Sequence, residues 1–298
     1  MSLCVSRNMN TGIDVCDISI GKIKRVVANP SDLQVTPSDG NNIFSFLQKN
    51  LQNVNPELRL YITPKNPNNI TDSSSEPVIA SLADGSEEQI LPGNQIQILE
   101  WWSTIGHDRI INRFDGYNGP AFLITERGVV GVESGVNMKS KDIKISVSGG
   151  GLQTYDSSPQ TKKMKINIGN ELEFQNRLVF YPLEDSKVNL LQGLRDLHLS
   201  VVSATTGIAN IMLTIGADKR TNVFDIPSFK TAFSSVANWR ANGLSTVITS
   251  VTADAVNKSF ELNTGTGTFV IDTAPIDVLK TAGVEGYEGI SITVDVAA

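Results

Sequence analysis

The sequence predicts a mainly β protein, an antiparallel β-sandwich or barrel with two or three short helices and possibly two β domains. Short runs of alternating or β-branched residues recur along all 298 residues, separated by Gly, Pro, Asn and Ser. Helical segments are too few to connect parallel strands, so we expect antiparallel sheets. A hydrophobic fraction of 40% is enough to build a core in a chain of this length.

We expect an N-terminal β-rich domain over residues 1–150. It begins with a half-buried strand over 18–28, whose first residues alternate between apolar and polar. An amphipathic helix follows over 41–53, where apolar side chains recur at helical spacing. The polar segment 64–77, "PKNPNNITDSSSEP", lacks the apolar side chains to order itself, so we interpret it as an exposed loop or arm.

Two later stretches of this domain carry the candidate subunit-interface residues. The strand pattern "QIQILEWWS" places Trp101 and Trp102 on opposite faces, so one is expected to be buried and the other to mark an interface. The pattern "AFLITERGVVGV", residues 121–132, is typical of a β-hairpin with Gly128 at a positive-φ position of a three-residue turn. The candidates in this hairpin are Thr125, Glu126, Arg127 and Gly128.

The second expected domain covers 151–298 and is also β-rich. A glycine-rich loop begins at the boundary between the two halves, with predicted strands at 142–148 before it and at 163–169 after it, and further strand patterns follow up to the C-terminus. A helix is predicted over 227–240, with Pro227 at its first position and an apolar stripe along one face. A second, short helix precedes Gly283, a residue type that commonly ends helices.

Charge and cysteine usage limit the function classes. The net charge is −6 and is shared evenly between the halves, and the one dense basic cluster is "TKKMK" at 161–165, which gives weak support for nucleic-acid binding. Cys4 and Cys16 favour reduced thiols made in a cytoplasm, with a local disulfide or a surface contact as the alternatives. The sequence has neither a secretory pattern nor an apolar run long enough to span a membrane, so we expect no membrane association.

We searched for catalytic motifs and assign no catalytic, cofactor-binding or metal-ligating residue. His107 precedes Asp108, which could orient an imidazole, but a loop histidine bonded to its neighbours is the stronger interpretation. His198 lies in a strand pattern and is expected to point outward. The carboxylates that could form a glycosidase pair are Glu171, Glu173, Glu184 and Asp185, and sequence alone selects no pair among them.

Three phrases carry a resemblance to a known class of proteins. They are "CVSRNMNTGIDVCDISIGKIKRVV", "DGYNGPAFLITERGVVGVESGVNMKSKDIKISV" and "LVFYPLEDSKVNLLQGLRDLHLSV". In these phrases the chain resembles virion structural proteins of tailed phages that infect Bacteroidetes. The resemblance implies a non-enzymatic, tail-tube-like protein that is assembled in the bacterial host cytoplasm and becomes part of the virion.

The same resemblance implies the partners. They are copies of the chain in a ring or tube, other virion proteins, and DNA that passes through transiently without specific binding. An acidic protein suits such a channel, because carboxylates repel phosphates. Three alternatives stay open: a head-associated virion protein (capsid, decoration or ring), a carbohydrate-binding β-sandwich module, and a hydrolase that uses His107 with Asp108.

Overall fold

The computed structural model describes residues 21–76, 78–81, 87–91, 93–151, 160–170, 177–216 and 219–297. In these residues the protein is mainly β, with antiparallel sheets and six short α-helices, which confirms the predicted fold class. The helices exceed the expected two or three. The described sheets are open and form no closed barrel, so the sandwich is the better description.

The chain forms two compact units, Met1–Gln192 and Gly193–Ala298. The expected boundary between residues 150 and 151 is therefore misplaced. It would separate two antiparallel strands that pair from Lys144 opposite Asn167 to Gly149 opposite Lys162. Because backbone hydrogen bonds join these strands, they belong to the same unit, and the division falls about 40 residues later.

Twelve strands and four helices are described in the first unit. The strands are β1 Ile23–Ala28, β2 Tyr61–Ile62, β3 Asn69–Asp72, β4 Val78–Ser81, β5 Glu87–Leu91, β6 Asn94–Trp102, β7 Asn118–Thr125, β8 Gly128–Ser134, β9 Asn137–Lys139, β10 Lys141–Gly149, β11 Thr161–Asn170 and β12 Leu178–Pro182. The helices are α1 Pro37–Gly40, α2 Ile43–Leu51, α3 Ile105–Asn112 and α4 Asp185–Val188, with a 3-10 turn at Pro56–Leu58.

A ten-stranded sheet organises this unit, with the order β12-β8-β7-β10-β11-β6-β3 and with β1, β2 and β9 attached at its side. Strand β7 contributes to two cores because its successive side chains point to opposite faces. Phe122 and Ile124 pack with Leu47 of α2, whereas Ala121 and Leu123 pack in a second core with Trp101. The remaining two strands, β4 and β5, form a separate two-stranded ribbon.

The polar segment 64–77 was expected to be an exposed loop or arm, and most of its described residues are exposed, but four of them form a strand. Residues 69–72 form β3, an edge strand that pairs with β6 from Asn69 opposite Glu100 to Asp72 opposite Gln97. Most of its side chains are exposed. An edge strand is held by its ladder of backbone hydrogen bonds and does not need many buried side chains, so composition alone did not predict β3.

Nine strands and two helices are described in the second unit. The strands are β13 Arg195–Thr205, β14 Ile208–Ile215, β15 Thr221–Asn222, β16 Trp239–Ala241, β17 Ser250–Asp254, β18 Ser259–Asn263, β19 Gly267–Thr273, β20 Tyr287–Ile290 and β21 Ile292–Val296. The helices are α5 Pro227–Phe233 and α6 Ile276–Thr281, with 3-10 turns at Val223–Asp225 and Val236–Asn238.

This unit is a sandwich of a six-stranded and a three-stranded sheet over one aromatic core. The larger sheet has the order β17-β18-β14-β13-β20 with β15 on β14, and the smaller one has the order β16-β19-β21. Phe260 of the larger sheet and Trp239 of the smaller one pack together, with ring centroids 5.8 Å apart. Phe233 of α5 completes the cluster, 5.5 Å from Trp239.

The helix predicted over 227–240 ends at Phe233. Pro227 does occupy its first turn, as expected. Beyond Phe233 the chain forms a 3-10 turn, and Trp239 begins strand β16. The Trp239 indole N–H donates to the Phe233 carbonyl oxygen at 2.8 Å, a bond that requires the chain to reverse between the two residues. The apolar stripe that indicated one longer helix therefore comes from two elements that share a core.

Candidate functional site

The hairpin predicted over 121–132 exists, but most of it is buried. Strands β7 and β8 pair at Leu123 opposite Val130 and at Ile124 opposite Val129. Thr125 is buried, and its hydroxyl donates to the Gly128 carbonyl oxygen at 3.2 Å. Of the four interface candidates in the hairpin, only Glu126 and Arg127 are exposed. A contact with another subunit could therefore involve the tip of the hairpin but not its strands.

Gly128 has a role other than the predicted one. Its φ is not in the left-handed region, and the connection is a two-residue turn instead of a three-residue loop. A Cβ atom on this residue would lie 2.6 Å from the ring of Phe180 and against the Tyr181 carbonyl oxygen. The glycine is needed because the neighbouring strand β12 lies close beside it, with Pro182 opposite Gly128 in the ladder.

The tryptophan pair is arranged as the alternation predicts. Trp101 is fully buried, and its indole N–H donates to the Lys65 carbonyl oxygen at 3.2 Å. Trp102 points to the opposite side and is 50% exposed. With its amide oxygen turned toward Trp102, Asn68 accepts a hydrogen bond from the Trp102 backbone N–H at 2.9 Å. Trp101 is thus a core residue, and Trp102 remains a candidate for contact with a partner.

The groups beside Trp102 do not form a histidine and aspartate pair. His107 lies on α3 instead of in a loop, and its Nδ1 atom is 3.2 Å from the Trp102 carbonyl oxygen. Asp108 accepts a hydrogen bond from the Ser103 hydroxyl at 2.7 Å. The two neighbouring residues have different partners, so Asp108 does not orient the imidazole in the way that a catalytic pair requires.

The other sequence candidates are dispersed. His198 is half-buried on β13. Asp185 forms an ion pair with Lys24 at 2.9 Å, and Glu184 precedes α4. Four candidates lie outside the described residues: Cys4, Cys16, Glu171 and Glu173. Among the residues that are described, no cluster of three acidic, histidine or cysteine side chains could hold a metal ion, and no helix is long and apolar enough to cross a membrane.

The groups with shifted pKa values have local explanations. Burial lowers the pKa of Arg25 to about 10. Burial raises the pKa of Tyr117 and of Asp272. Hydrogen bonds within turns, from Ser74 to Asp72 and from Asn257 to Asp254, lower the pKa of these two carboxyl groups. The described shifts follow from burial or turn geometry and do not by themselves identify a reaction centre.

An uncharged edge in the second unit was not anticipated as an interface. Strand β20 pairs with β13 only from Arg195 to His198, and Leu199–Thr205 forms no ladder on this side with another described strand. Strand β21 nevertheless lies close to β13, and the Gly207 N–H donates to the Ala297 carbonyl oxygen at 3.3 Å. We call Leu199–Thr205 the β13 edge. Val201 and Val202 on it are 42% and 38% exposed. Residues 199–216, which include the β13 edge and the whole of β14, contain no charged side chain.

One feature of the sequence, its longest stretch without charged residues, could have indicated this edge. A charge-free stretch of this length is unusual in a chain with 19% charged residues, because edge strands commonly carry lysine, another charge or proline that discourages pairing. The pairing of β20 with β13 joins residues that are far apart in the sequence, so no local pattern reveals that it stops at His198.

Comparison of the chain with protein-family models, with curated proteins and with solved structures gave no match.

Proposed function

We propose that this protein is a non-enzymatic, self-assembling structural subunit of a phage virion, most simply a tail-tube or tail-associated subunit whose assembly forms a channel for DNA. The observation that carries the assembly part of the proposal is the β13 edge. Its two exposed valines and its lack of charge are suited to contact with another copy of the chain. The phage part of the proposal rests on the resemblance of the three phrases quoted above.

The physical case for assembly is that the β13 edge has few of the features that keep monomeric β proteins apart. It carries neither charge nor proline over Leu199–Thr205, although it contains one bulge between Val201 and Ser203. A strand of this kind in a monomer favours aggregation, whereas in an assembled protein it is covered by a neighbour. The net charge of −6 also fits a channel that lets DNA slide without adhering.

Electron microscopy of the concentrated full-length protein tests the proposal. We expect rings or tubes, and we expect the protein in purified virions by mass spectrometry. Tubes support a tail subunit. A closed shell or a portal-like ring would support a head-associated protein instead, because symmetry distinguishes these assemblies. A protein that stays monomeric in sedimentation experiments and is absent from virions would refute the proposal, and binding on a glycan array would then favour a carbohydrate-binding module.

The hairpin tip is tested by the double substitution Glu126→Ser with Arg127→Ser. Because both side chains are exposed, the fold should be retained. Loss of assembly with an unchanged melting temperature would identify the tip as a subunit contact. Unchanged assembly would exclude it. Deleting residues 124–130 is unsuitable, since that would remove Ile124 and Val129 from the core.

A further inference from the structure

We propose that the outer face of the six-stranded sheet binds a hard divalent cation of the calcium type, with Asn210, Asp254, Ser259 and Glu261 as its ligands. Asn210 lies on β14, Ser259 and Glu261 lie on β18, and Asp254 ends β17. All four residues belong to the second unit. The inference is independent of the proposed assembly, because it concerns a single copy of the chain.

The four side chains lie on the same face of the sheet. Asn210 is opposite Glu261 in one ladder, and Asp254 is opposite Ser259 in the next. Phe260, which separates Ser259 from Glu261 on β18, points into the aromatic core. Because successive side chains of a strand point to opposite faces and directly opposed residues share a face, all four lie on the side away from this core.

The Asn210 and Asp254 side chains meet across the middle strand. β18 lies between β14 and β17 in the sheet, and yet the Asn210 Nδ2 atom is 3.4 Å from the Asp254 Oδ2 atom. The two side chains therefore reach over β18 between Ser259 and Glu261. This contact accounts for the 0% exposure of Ser259, a residue whose side chain points away from the core. Oxygen-bearing groups from three strands thus converge at one place.

Two buried oxygen atoms at this place have no partner. Asn210 is only 5% exposed, and neither its Oδ1 atom nor the Ser259 hydroxyl makes a hydrogen bond within the described part of the chain. Buried polar atoms of native proteins are nearly always satisfied, so these exceptions indicate a missing ligand. The Glu261 carboxylate also forms neither an ion pair nor a hydrogen bond with any described side chain.

Asp254 is held in position by its own turn. Its Oδ1 atom accepts hydrogen bonds from the backbone N–H groups of Val256 at 2.9 Å and Asn257 at 3.2 Å, and its Oδ2 atom accepts one from the Asn257 amide at 2.7 Å. The contact with Asn210 at 3.4 Å is longer than a good hydrogen bond. One acceptor position of this fixed carboxylate is therefore weakly used, and it faces Asn210.

A hard cation satisfies these groups together. If the Asn210 amide is rotated by half a turn, its oxygen lies beside the Asp254 carboxylate, an arrangement that a cation between them stabilises. Ca²⁺ binds carboxylate and amide oxygens in flexible geometries, whereas Mg²⁺ demands a near-ideal octahedron and retains its water. The carboxylates of Asp254 and Glu261 balance the charge of one divalent ion. Such an ion would tie β17, an end strand of the sheet, to β14 across β18.

Titration of the metal-free, full-length protein with CaCl2 tests the site. By calorimetry we expect one saturable site with a dissociation constant of about 0.1–1 mM, and binding of MgCl2 about tenfold weaker. Because the ion binds the folded state, the melting temperature should rise by about 3 °C or more at about 10 mM CaCl2. Absence of saturable Ca²⁺ binding to wild-type protein would overturn the proposal.

Glu261→Gln is the first variant, since no described partner depends on its charge. It should raise the dissociation constant for Ca²⁺ about tenfold or more and remove the calcium-dependent gain in melting temperature. Glu285→Gln is the matched control, because Glu285 is exposed and pairs only with Lys280 nearby. It should bind Ca²⁺ within about twofold of wild type. Equal affinities of wild type and Glu261→Gln would show that Ca²⁺ binds elsewhere, which refutes the site.

Ser259→Ala separates ligation from charge, because it removes one oxygen and leaves the net charge unchanged. We expect it to weaken Ca²⁺ binding about threefold or more while the protein stays folded without calcium. If the serine instead lies in a site that binds no ion, Ser259→Ala would change the melting temperature equally with and without CaCl2. That result would overturn the role of Ser259 and, with unchanged binding in Glu261→Gln, the whole site.

Discussion

Arg25 shows how one side chain can hold distant parts of the first unit together. It is buried on β1, and its guanidinium donates to the Thr63 carbonyl oxygen at 2.7 and 3.0 Å. The same group donates to the carbonyl oxygens of Val188 at 3.0 Å and Leu191 at 2.9 Å. Three carbonyl groups from two segments thus have their acceptors satisfied by one planar donor group on β1. The lowered pKa of Arg25 reflects the cost of desolvating this charge.

We predict that Arg25→Met lowers the free energy of unfolding by about 2–3 kcal/mol, because it leaves three buried carbonyl groups without a donor. Arg127→Met is the matched control, since Arg127 is exposed at the hairpin tip, and its effect should stay within about 0.5 kcal/mol. Chemical denaturation of both variants measures the difference. Equal stability of Arg25→Met and wild type would mean that water or a rearranged donor satisfies these carbonyls.

Asp272 gives a prediction about pH. Burial raises the pKa of this carboxyl group, and the nearby carboxylate of Glu288 raises it further, although the Thr273 backbone N–H donates to it at 2.7 Å. A raised pKa in the folded state means that ionisation of Asp272 costs stability at neutral pH. This cost decreases as the pH falls through the raised pKa and is absent below the unfolded value of about 3.8.

We therefore predict that Asp272→Asn, which keeps the acceptor for Thr273, stabilises the protein at pH 7. The gain should be below about 1 kcal/mol, because the group is only half-buried and solvent screens its charge. The difference between variant and wild type should shrink toward zero near pH 4. Melting temperatures of both proteins from pH 4 to pH 7 provide the measurement. A difference that is independent of pH would show that lost packing or hydrogen bonding, and not charge, causes the effect.

At the scale of single elements, the close approach of β12 to β8 explains why residue 128 is a glycine, although the sequence pattern predicted a turn position with positive φ. In the ladder of β8 and β12, Gly128 faces the ring of Phe180 and the Tyr181 carbonyl. Gly119, at the start of β7, has more room, since the nearest atom to a Cβ there is the Tyr117 hydroxyl at 3.4 Å. Neither glycine has a positive φ. The two positions differ mainly in the space beside them.

We predict that Gly128→Ala lowers the free energy of unfolding by about 1–3 kcal/mol, because the methyl group would force β12 away from β8. Gly119→Ala should change it by about 0.5 kcal/mol or less, since no backbone atom has to move. Thermal unfolding compares the two variants. If both had the same small effect, the approach of β12 to Gly128 would be looser than the contact with Phe180 indicates.

Local patterns predicted elements well where one side of a segment is buried. They gave helix α2 and the alternation that separates Trp101 from Trp102. They failed where long-range contacts decide the outcome. The edge strand β3 is ordered by its ladder with β6, and α5 ends early because Trp239 returns to its core as a strand. The exposure of Trp102 could be predicted from the alternation of its strand, whereas the β13 edge depends on where β20 stops pairing.

At the scale of the whole molecule, the two units are independent in the sense that each has cores of its own. The first contains two clusters, one of which packs α2 against the sheet. The second contains one cluster built from both of its sheets and α5. Among the strands that the structure describes, those of 193–298 pair only with one another, and the core cluster of this unit contains none of the described residues of the first unit. Such a segment satisfies the main physical condition for folding alone.

We predict that a fragment of residues 193–298 folds cooperatively, whereas fragments divided after residue 150 do not. A cut after 150 leaves β10 in one piece and β11 in the other, which exposes the ladder that joins them and the buried side chains of Ile145 and Ile166. Circular dichroism melts and the dispersion of amide signals in NMR spectra distinguish the two designs. A fragment 193–298 that lacks a cooperative transition, in a preparation where the full-length chain retains one, would show that the first unit is required to stabilise the sandwich.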